Sequence, residues 1–212
     1  MRFGFEREYF ISVAKDRMDV DSDSMLYCLC PPELPHDECG YLAEARGLQQ
    51  DNPRLAAFAL LAEESRMRDK AKKLGVDLLL VDTVKLPVTL RREALRLHGK
   101  EQYPSSRFNM YGKDLPPNDR WDRAGLHVHF SNEEVRTFNG CKECRPVTYT
   151  IAGMVNIPFI VHTLDKAFEK QIKAARRLPG FYELKPYGFE YRSLPTTVDV
   201  VEVARIVEGV GL

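Results

Sequence analysis

Four short stretches of this 212-residue chain alternate oily and ionisable residues with a period of two. In "RFGFEREYFI", Phe3, Phe5, Tyr9 and Ile11 take one side, while Glu6 and Glu8 take the other. In "YLAEARGL", Glu44 and Arg46 oppose Tyr41, Ala43 and Ala45. In "GLHVHF", His127 and His129 oppose Leu126, Val128 and Phe130. In "GFEYRS", Glu190 and Arg192 oppose Phe189 and Tyr191. A period of two marks a β-strand that buries one face. Four such strands demand a sheet with its oily side covered, and the alternation predicts a curved, mainly antiparallel sheet. The concave face is expected to carry the ionisable residues, with helices on the convex side.

A face that is merely wet would mix in lysine, threonine, serine and glutamine. This one holds glutamates, histidines and arginines. Carboxylates crowded on one patch repel unless cations compensate them. Carboxylates suit hard cations, imidazoles suit many metals, and guanidinium forks suit phosphate oxygens. The most economical account is a divalent-metal site that also holds a polyphosphate, with Glu6 and Glu8 facing the same way to share metal ions.

Between the strands lie two long helical patterns. "QQDNP" opens the first: Asp51 or Asn52 is its cap, Pro53 occupies the first turn, and Gly75 ends it. Ala57, Leu60, Leu61, Met67, Ala71 and Leu74 form its expected buried stripe. The second runs from about Ile157 to Leu178, with Val161, Leu164, Phe168, Ile172 and Ala175 at helical spacing and Gly180 as its stop. A final capped helix is expected in "TTVDVVEVARIVEGV". "VDLLLVDTV" and "RPVTYTI" read as further strands, "GCKEC" as a tight turn and 98–122 as a long, aromatic-containing loop of the functional kind. No internal repeat or linker interrupts the pattern, so residues 1–212 are expected to form one α+β domain.

Lysine plus arginine equals aspartate plus glutamate, 31 each. That balance speaks against general nucleic-acid binding, which needs a basic surplus. No apolar run is long enough for a membrane span, and because the first strand pattern starts at once no signal peptide is expected. Five cysteines without a framework spacing suit a reducing compartment. The chain is therefore expected to be cytoplasmic.

There is no Gly-x-x-x-x-Gly-Lys-Ser/Thr loop and no His-Glu-x-x-His pair. A cupin-like metal site is suggested by "HVHFSNEEVRTFNG", with Glu133 and Gly140, but its second half should bring a histidine in a Pro-x-Gly context. "GMVNIPFIVH", with Pro158 and His162, lacks the glycine. A structural zinc on Cys28, Cys30, Cys141 and Cys144 is set against ordinary reduced thiols.

"GFEREYF", "AGLHVHFSN" and "YGFEYRSLP", in that order, resemble the motifs of the glutamine synthetase-like carboxylate–amine ligases. The nearest group is the amidoligase type called COOH-NH2 ligase type 2, related to glutamate–cysteine ligase. The resemblance covers nearly the whole chain and implies the glutamine synthetase/guanidino kinase-like catalytic fold. It implies that Glu6, Glu8, Glu44, His127 and Glu190 hold Mg²⁺ or Mn²⁺. His129, Arg46 and Arg192 would bind ATP, and Arg192 and Glu44 would serve catalysis. A second carboxylate upstream of Glu44 would be Asp37 or Glu38. The implied reaction joins a small-molecule or peptide carboxylate to an amine through an acyl phosphate. The alternatives are a cupin-like or nucleotide-binding module without ligase activity, and a guanidino kinase-like phosphotransferase.

Overall fold

The structure is a computed structural model that describes residues 1–13, 27–37, 40–98, 107–112, 121–131 and 157–210. Its strands are β1 (Arg2–Val13), β2 (Leu42–Arg46), β3 (Val76–Leu79), β4 (Thr83–Val84), β5 (Arg107–Asn109), β6 (Asp122–Arg123), β7 (Gly125–Ser131), β8 (Phe181–Lys185) and β9 (Gly188–Pro195). Its helices are α1 (Pro53–Leu74), α2 (Val88–His98), α3 (Ile157–Ala167), α4 (Glu169–Ala174) and α5 (Val200–Gly209). The fold is α+β. The main sheet runs β2-β1-β7-β9-β8-β5, every pair antiparallel, and β4 and β6 form a separate antiparallel pair. Phe10 registers with Leu42 on one edge of β1 and with Leu79 on the other, so β3 continues the sheet beyond the end of β7.

Local chemistry explains the helix ends. Asn52 accepts hydrogen bonds from the N–H groups of Arg54 and Leu55, Pro53 takes the first turn, and Gly75 closes α1 in the left-handed region. Asp199 caps α5 by accepting from the N–H of Val201. The oily sides of β1, β7 and β9 form one core with α1, α3 and α5, in which Phe5, Tyr9, Val128 and Tyr191 pack with Leu60, Ile160, Leu164 and Val203. The helices thus lie on the side opposite Glu6, Glu8, His127, His129 and Glu190. A smaller cluster of Phe10, Leu42, Val84, Leu86 and Ala124 closes one end of the other side. Phe10 and Leu42 share the parity of Glu8 and Glu44, so the ionisable face runs directly into this second core.

Several elements differ from the expectation. The second long helix is interrupted at the fully buried Phe168 and ends at Ala174, short of Leu178. Its stop is Arg176, at φ 54°, not Gly180. The N–H of Arg177 reaches back to the carbonyl of Ile172 and that of Arg176 to Lys173, so an arginine fills the left-handed place usually held by glycine. Gly180 instead lies under Tyr111, where a Cβ would come within 2.6 Å of the ring. "VDLLLVDTV" is two strands in two sheets. The 98–122 stretch includes β5, which extends the main sheet, and the start of β6. α2 had no counterpart in the sequence reading. Leu61 is exposed, and Ala56 and Glu64 join the buried side of α1 in its place. "GCKEC" and "RPVTYTI" lie outside the described residues.

Candidate functional site

The register across the sheet brings the spaced pairs together. Glu6 stands opposite Arg46 and His127, Glu8 opposite Glu44, and His129 opposite Glu190. The result is a continuous ionic row across β2, β1, β7 and β9. It is not a wet face. Glu8 is 7% exposed, Glu44 5%, His127 1%, His129 6% and Glu190 1%. Burying so many ionisable groups costs free energy unless they satisfy one another or a ligand.

His127 sits at a register shift between β7 and β9, its Nδ1 3.0 Å from Glu190 Oε1 and its Nε2 3.7 Å from Glu8 Oε1. His129 places Nε2 3.2 Å from Glu6 Oε2 and Nδ1 2.5 Å from the Tyr187 hydroxyl. His127 Nδ1 and His129 Nε2 approach these carboxylates without hydrogen-bond alignment, and among the described residues neither has another partner. Arg46 pairs with Glu44 and, at 3.4 Å, with Glu6. Arg192 pairs with Glu190 and lies 3.6 Å from Glu183.

The crowding shows in the protonation of the acids. Burial, then the charge and hydrogen bond of Glu6 and the charge of Glu8, push the Glu44 carboxyl up to about 9. Burial would raise Glu6 too, but His129 overcomes it and holds Glu6 down to about 2. Burial likewise opposes ionisation of Glu190, yet His127 and then Arg192 draw it well below the usual carboxylate range. His127 itself is pushed down, first by complete burial and then by Arg192. Arg192 and Lys185 also pair directly with Glu190.

Two groups have ligand atoms all within 4.8 Å of one another: Glu6, His129 and Glu190, and Glu6, Glu44 and His127. These donor sets of carboxylate and imidazole fit a divalent cation. So do the misaligned imidazole nitrogens and the raised proton affinity of the Glu44 carboxyl. Glu8 stands slightly apart, because its Oε2 accepts from the N–H of Gly125 at 2.6 Å. His129 falls in with Glu6 and Glu190 as well as with Tyr187.

Four further site residues escaped the sequence reading. Glu183 registers with Glu190, and Lys185 bonds both of them. Arg107 on β5 donates to Glu183 at 2.9 Å. The signal for Glu183 and Lys185 was present, since "FYELK" alternates like the other four strands. The fourth residue, Arg177, lies in the basic stretch "ARRLPG" that leads into this strand, and Arg107 had no signal. Arg177 donates to the carbonyls of Ala124, Arg192 and Ser193, tying the ends of β7 and β9 together beneath the row. Burial lowers it to about 10, which still leaves it charged at neutral pH.

Gly125 makes room for this arrangement. A Cβ there would lie 2.7 Å from Arg177 Nη2 and 2.9 Å from His127 Nε2. Gly125→Ala is therefore expected to destabilise the fold by about 1–3 kcal/mol through overpacking. It should also weaken Mn²⁺ binding, because the imidazole must move. Urea unfolding and Mn²⁺ titration test this, and a variant as stable as the parent with the same metal affinity would refute it.

Other sequence candidates lie elsewhere. One oxygen of Asp37 accepts from the N–H of Gly40 in the turn before β2, and Glu38 lies outside the described residues. Cys28 and Cys30 are free thiols. Burial raises both, and burial with the nearby charges of Asp37 and Cys28 takes Cys30 to about 12. Cys141 and Cys144 lie outside the described residues, which contain no four-cysteine site. His162 is exposed on α3, across the sheet from His127 and His129, so the second histidine of the cupin reading does not join them. Glu133 and Gly140 are outside the described residues.

The fold and site define an α+β protein with an antiparallel sheet, one face under helices and the other bearing a buried carboxylate–imidazole cluster. No helix among the described residues is long and apolar enough to cross a membrane. Compared with family models, curated proteins and solved structures, the chain matches none.

Proposed function

We propose that the chain is an ATP- and Mg²⁺-dependent ligase that joins a carboxylate to an amine through an acyl phosphate. The observation that carries this reading is the division of charge along one buried sheet face. Over β1 and β2 three carboxylates, Glu6, Glu8 and Glu44, are accompanied by one arginine, Arg46, while over β5, β8 and β9 three cations, Arg107, Lys185 and Arg192, face two carboxylates, Glu183 and Glu190. An acidic half beside a basic half suits a metal-bound polyphosphate, whose cations need carboxylates and whose free oxygens need guanidinium and ammonium donors. The motif order "GFEREYF", "AGLHVHFSN", "YGFEYRSLP" gives the fold-level analogy with glutamine synthetase-like ligases.

Glu6, Glu44, His127, His129 and Glu190 would hold Mg²⁺, with Glu8 beside them. When bound, the metal neutralises triphosphate charge. The chain's own residues align the reactants. An oxygen of the substrate carboxylate attacks the γ-phosphorus, the bridging P–O bond breaks, and ADP leaves. The amine nitrogen then attacks the acyl carbon, the C–O bond to phosphate breaks, and the amine gives up a proton. Arg192 is held ready by Glu190 for the charge that builds on the transferring phosphoryl oxygens.

ATP is expected to bind only with Mg²⁺ or Mn²⁺, since the crowded carboxylates repel a bare triphosphate. Calorimetry decides this: equal affinity in EDTA would refute the reading. Glu6→Gln removes a donor common to both clusters and should weaken metal-dependent ATP binding by at least about tenfold, the scale seen even for groups one step outside a metal's ligands. The reaction is tested by ADP release with pooled carboxylates and amines. Release that needs both substrates supports ligation, and release with a guanidine acceptor alone would replace it with phosphotransfer.

A further inference from the structure

Both oxygens of Glu190 are engaged in this structure. Oε1 faces His127 Nδ1 at 3.0 Å and also Arg192, while Oε2 is held by Lys185 Nζ at 2.9 Å. The same ammonium bonds Glu183 Oε1 at 2.6 Å. Strand register sets this up, because Glu183 and Glu190 are direct partners across β8 and β9, so their carboxylates share one cation. Lys185 ends β8 beside the turn into β9, and its side chain is 24% exposed, against 1% for Glu190. A compact charge on a flexible stem thus occupies the side of Glu190 that a divalent ion would need.

We infer that Lys185 couples metal binding to phosphate binding: it is the resident counter-cation of Glu190, displaced by the metal and transferred to a phosphate oxygen of the nucleotide. The inference rests on the proposed metal–polyphosphate site. An ammonium has three donors, and two are used here, on Glu183 and Glu190. When a divalent ion takes Oε2 of Glu190, electroneutrality no longer holds Lys185 there, but Glu183 keeps its stem in place. Two N–H groups are then free beside Arg192 and Arg107. Metal alone must evict a cation and leave it without that partner. Metal arriving with a triphosphate supplies the evicted cation with a new anion. The two ligands therefore favour each other through Lys185, and such coupling is reciprocal.

Manganese titrations, read by the electron paramagnetic resonance of free Mn²⁺, test this with and without a non-hydrolysable ATP analogue. In the parent protein the analogue should tighten Mn²⁺ binding within the range of about 5–150-fold typical of coupled sites. Lys185→Met keeps the length of the stem and removes the charge. It should bind Mn²⁺ alone as tightly as the parent or more tightly, while the tightening by the analogue falls to a few-fold. Lys185→Arg retains a cation and should keep the coupling. Unchanged coupling in a folded Lys185→Met protein overturns the inference while leaving the metal site standing. A parent protein that binds no Mn²⁺ overturns both. If Lys185→Met does not fold, ¹³C-dimethylated parent protein decides instead. Its Lys185 methyl signal should shift on adding Mg²⁺ and again on adding the analogue, and a signal indifferent to both refutes the transfer.

Discussion

Arg192→Lys is expected to leave ATP affinity within a few-fold and to slow acyl-phosphate formation by about 10²–10³. Arg192 lies on the same side of β9 as Glu190, pairs with it, and lies 3.6 Å from Glu183. Its guanidinium is therefore aligned before any ligand arrives. A planar fork gains most when charge is spread over the phosphoryl oxygens, as it is during transfer, and gains less against the ground-state triphosphate. Lysine preserves the charge but not the second prong, so the exchange is not conservative. The charge that anchors ATP is also supplied by Lys185 and Arg107, which explains why ground-state affinity should change little. Equilibrium binding and single-turnover phosphoryl transfer on the same variant decide it. A large loss of affinity with turnover intact would make Arg192 a phosphate anchor.

Glu64→Gln is expected to lower the unfolding free energy by about 3–5 kcal/mol. On the helix side of the sheet, Arg7 of β1 interrupts the oily row at 6% exposure and meets Glu64 of α1 at 3.2 Å. Arg7 also donates to the carbonyl of Val198, just before α5, at 2.8 Å. The pair thus joins the central strand to two helices inside the core. Removing one charge leaves the other buried without compensation, and that is where the cost arises. Replacing both, as in Arg7→Met/Glu64→Leu, should recover most of the loss, because apolar groups of similar volume need no desolvation. Urea unfolding of the single and double variants tests this. A Glu64→Gln protein within 1 kcal/mol of the parent, on the scale of an exposed pair, would show that the charges are effectively solvated.

The sites of these two variants lie on opposite sides of the sheet. Glu6, Glu8, His127, His129, Glu190 and Arg192 could be assigned to one side from the chain alone, because a strand's alternation is a local property. The ends of α1 and the presence of a capped α5 were legible for the same reason: Asn52, Pro53 and Gly75, and the cap of α5, which the structure shows to be Asp199, act within a turn of their own positions. Those local rules determined that the chain is α+β and that the spaced pairs of ionisable residues in its strands share the side away from the oily one.

Tertiary structure decided the rest. Glu183 and Lys185 were not assigned from the sequence, although "FYELK" alternates, and pairing of β8 with β9 set them against Glu190. Arg107 entered through β5, a three-residue strand in a stretch that read as loop. Arg177 reached Ala124, Arg192 and Ser193 because an arginine at φ 54° ended the preceding helix early, where glycine was the expected stop. The burial of Glu8, Glu44, His127, His129 and Glu190, which with the charges of Glu6 and Glu8 raises the Glu44 carboxyl, came with the closing of the sheet, at one end of which Phe10, Leu42, Val84 and Leu86 form a second core. Periodicity and capping are fixed by residues two to four positions apart. Which strand lies beside which, and how deeply a face is covered, depends on contacts between residues far apart in the chain, and no local pattern encodes them.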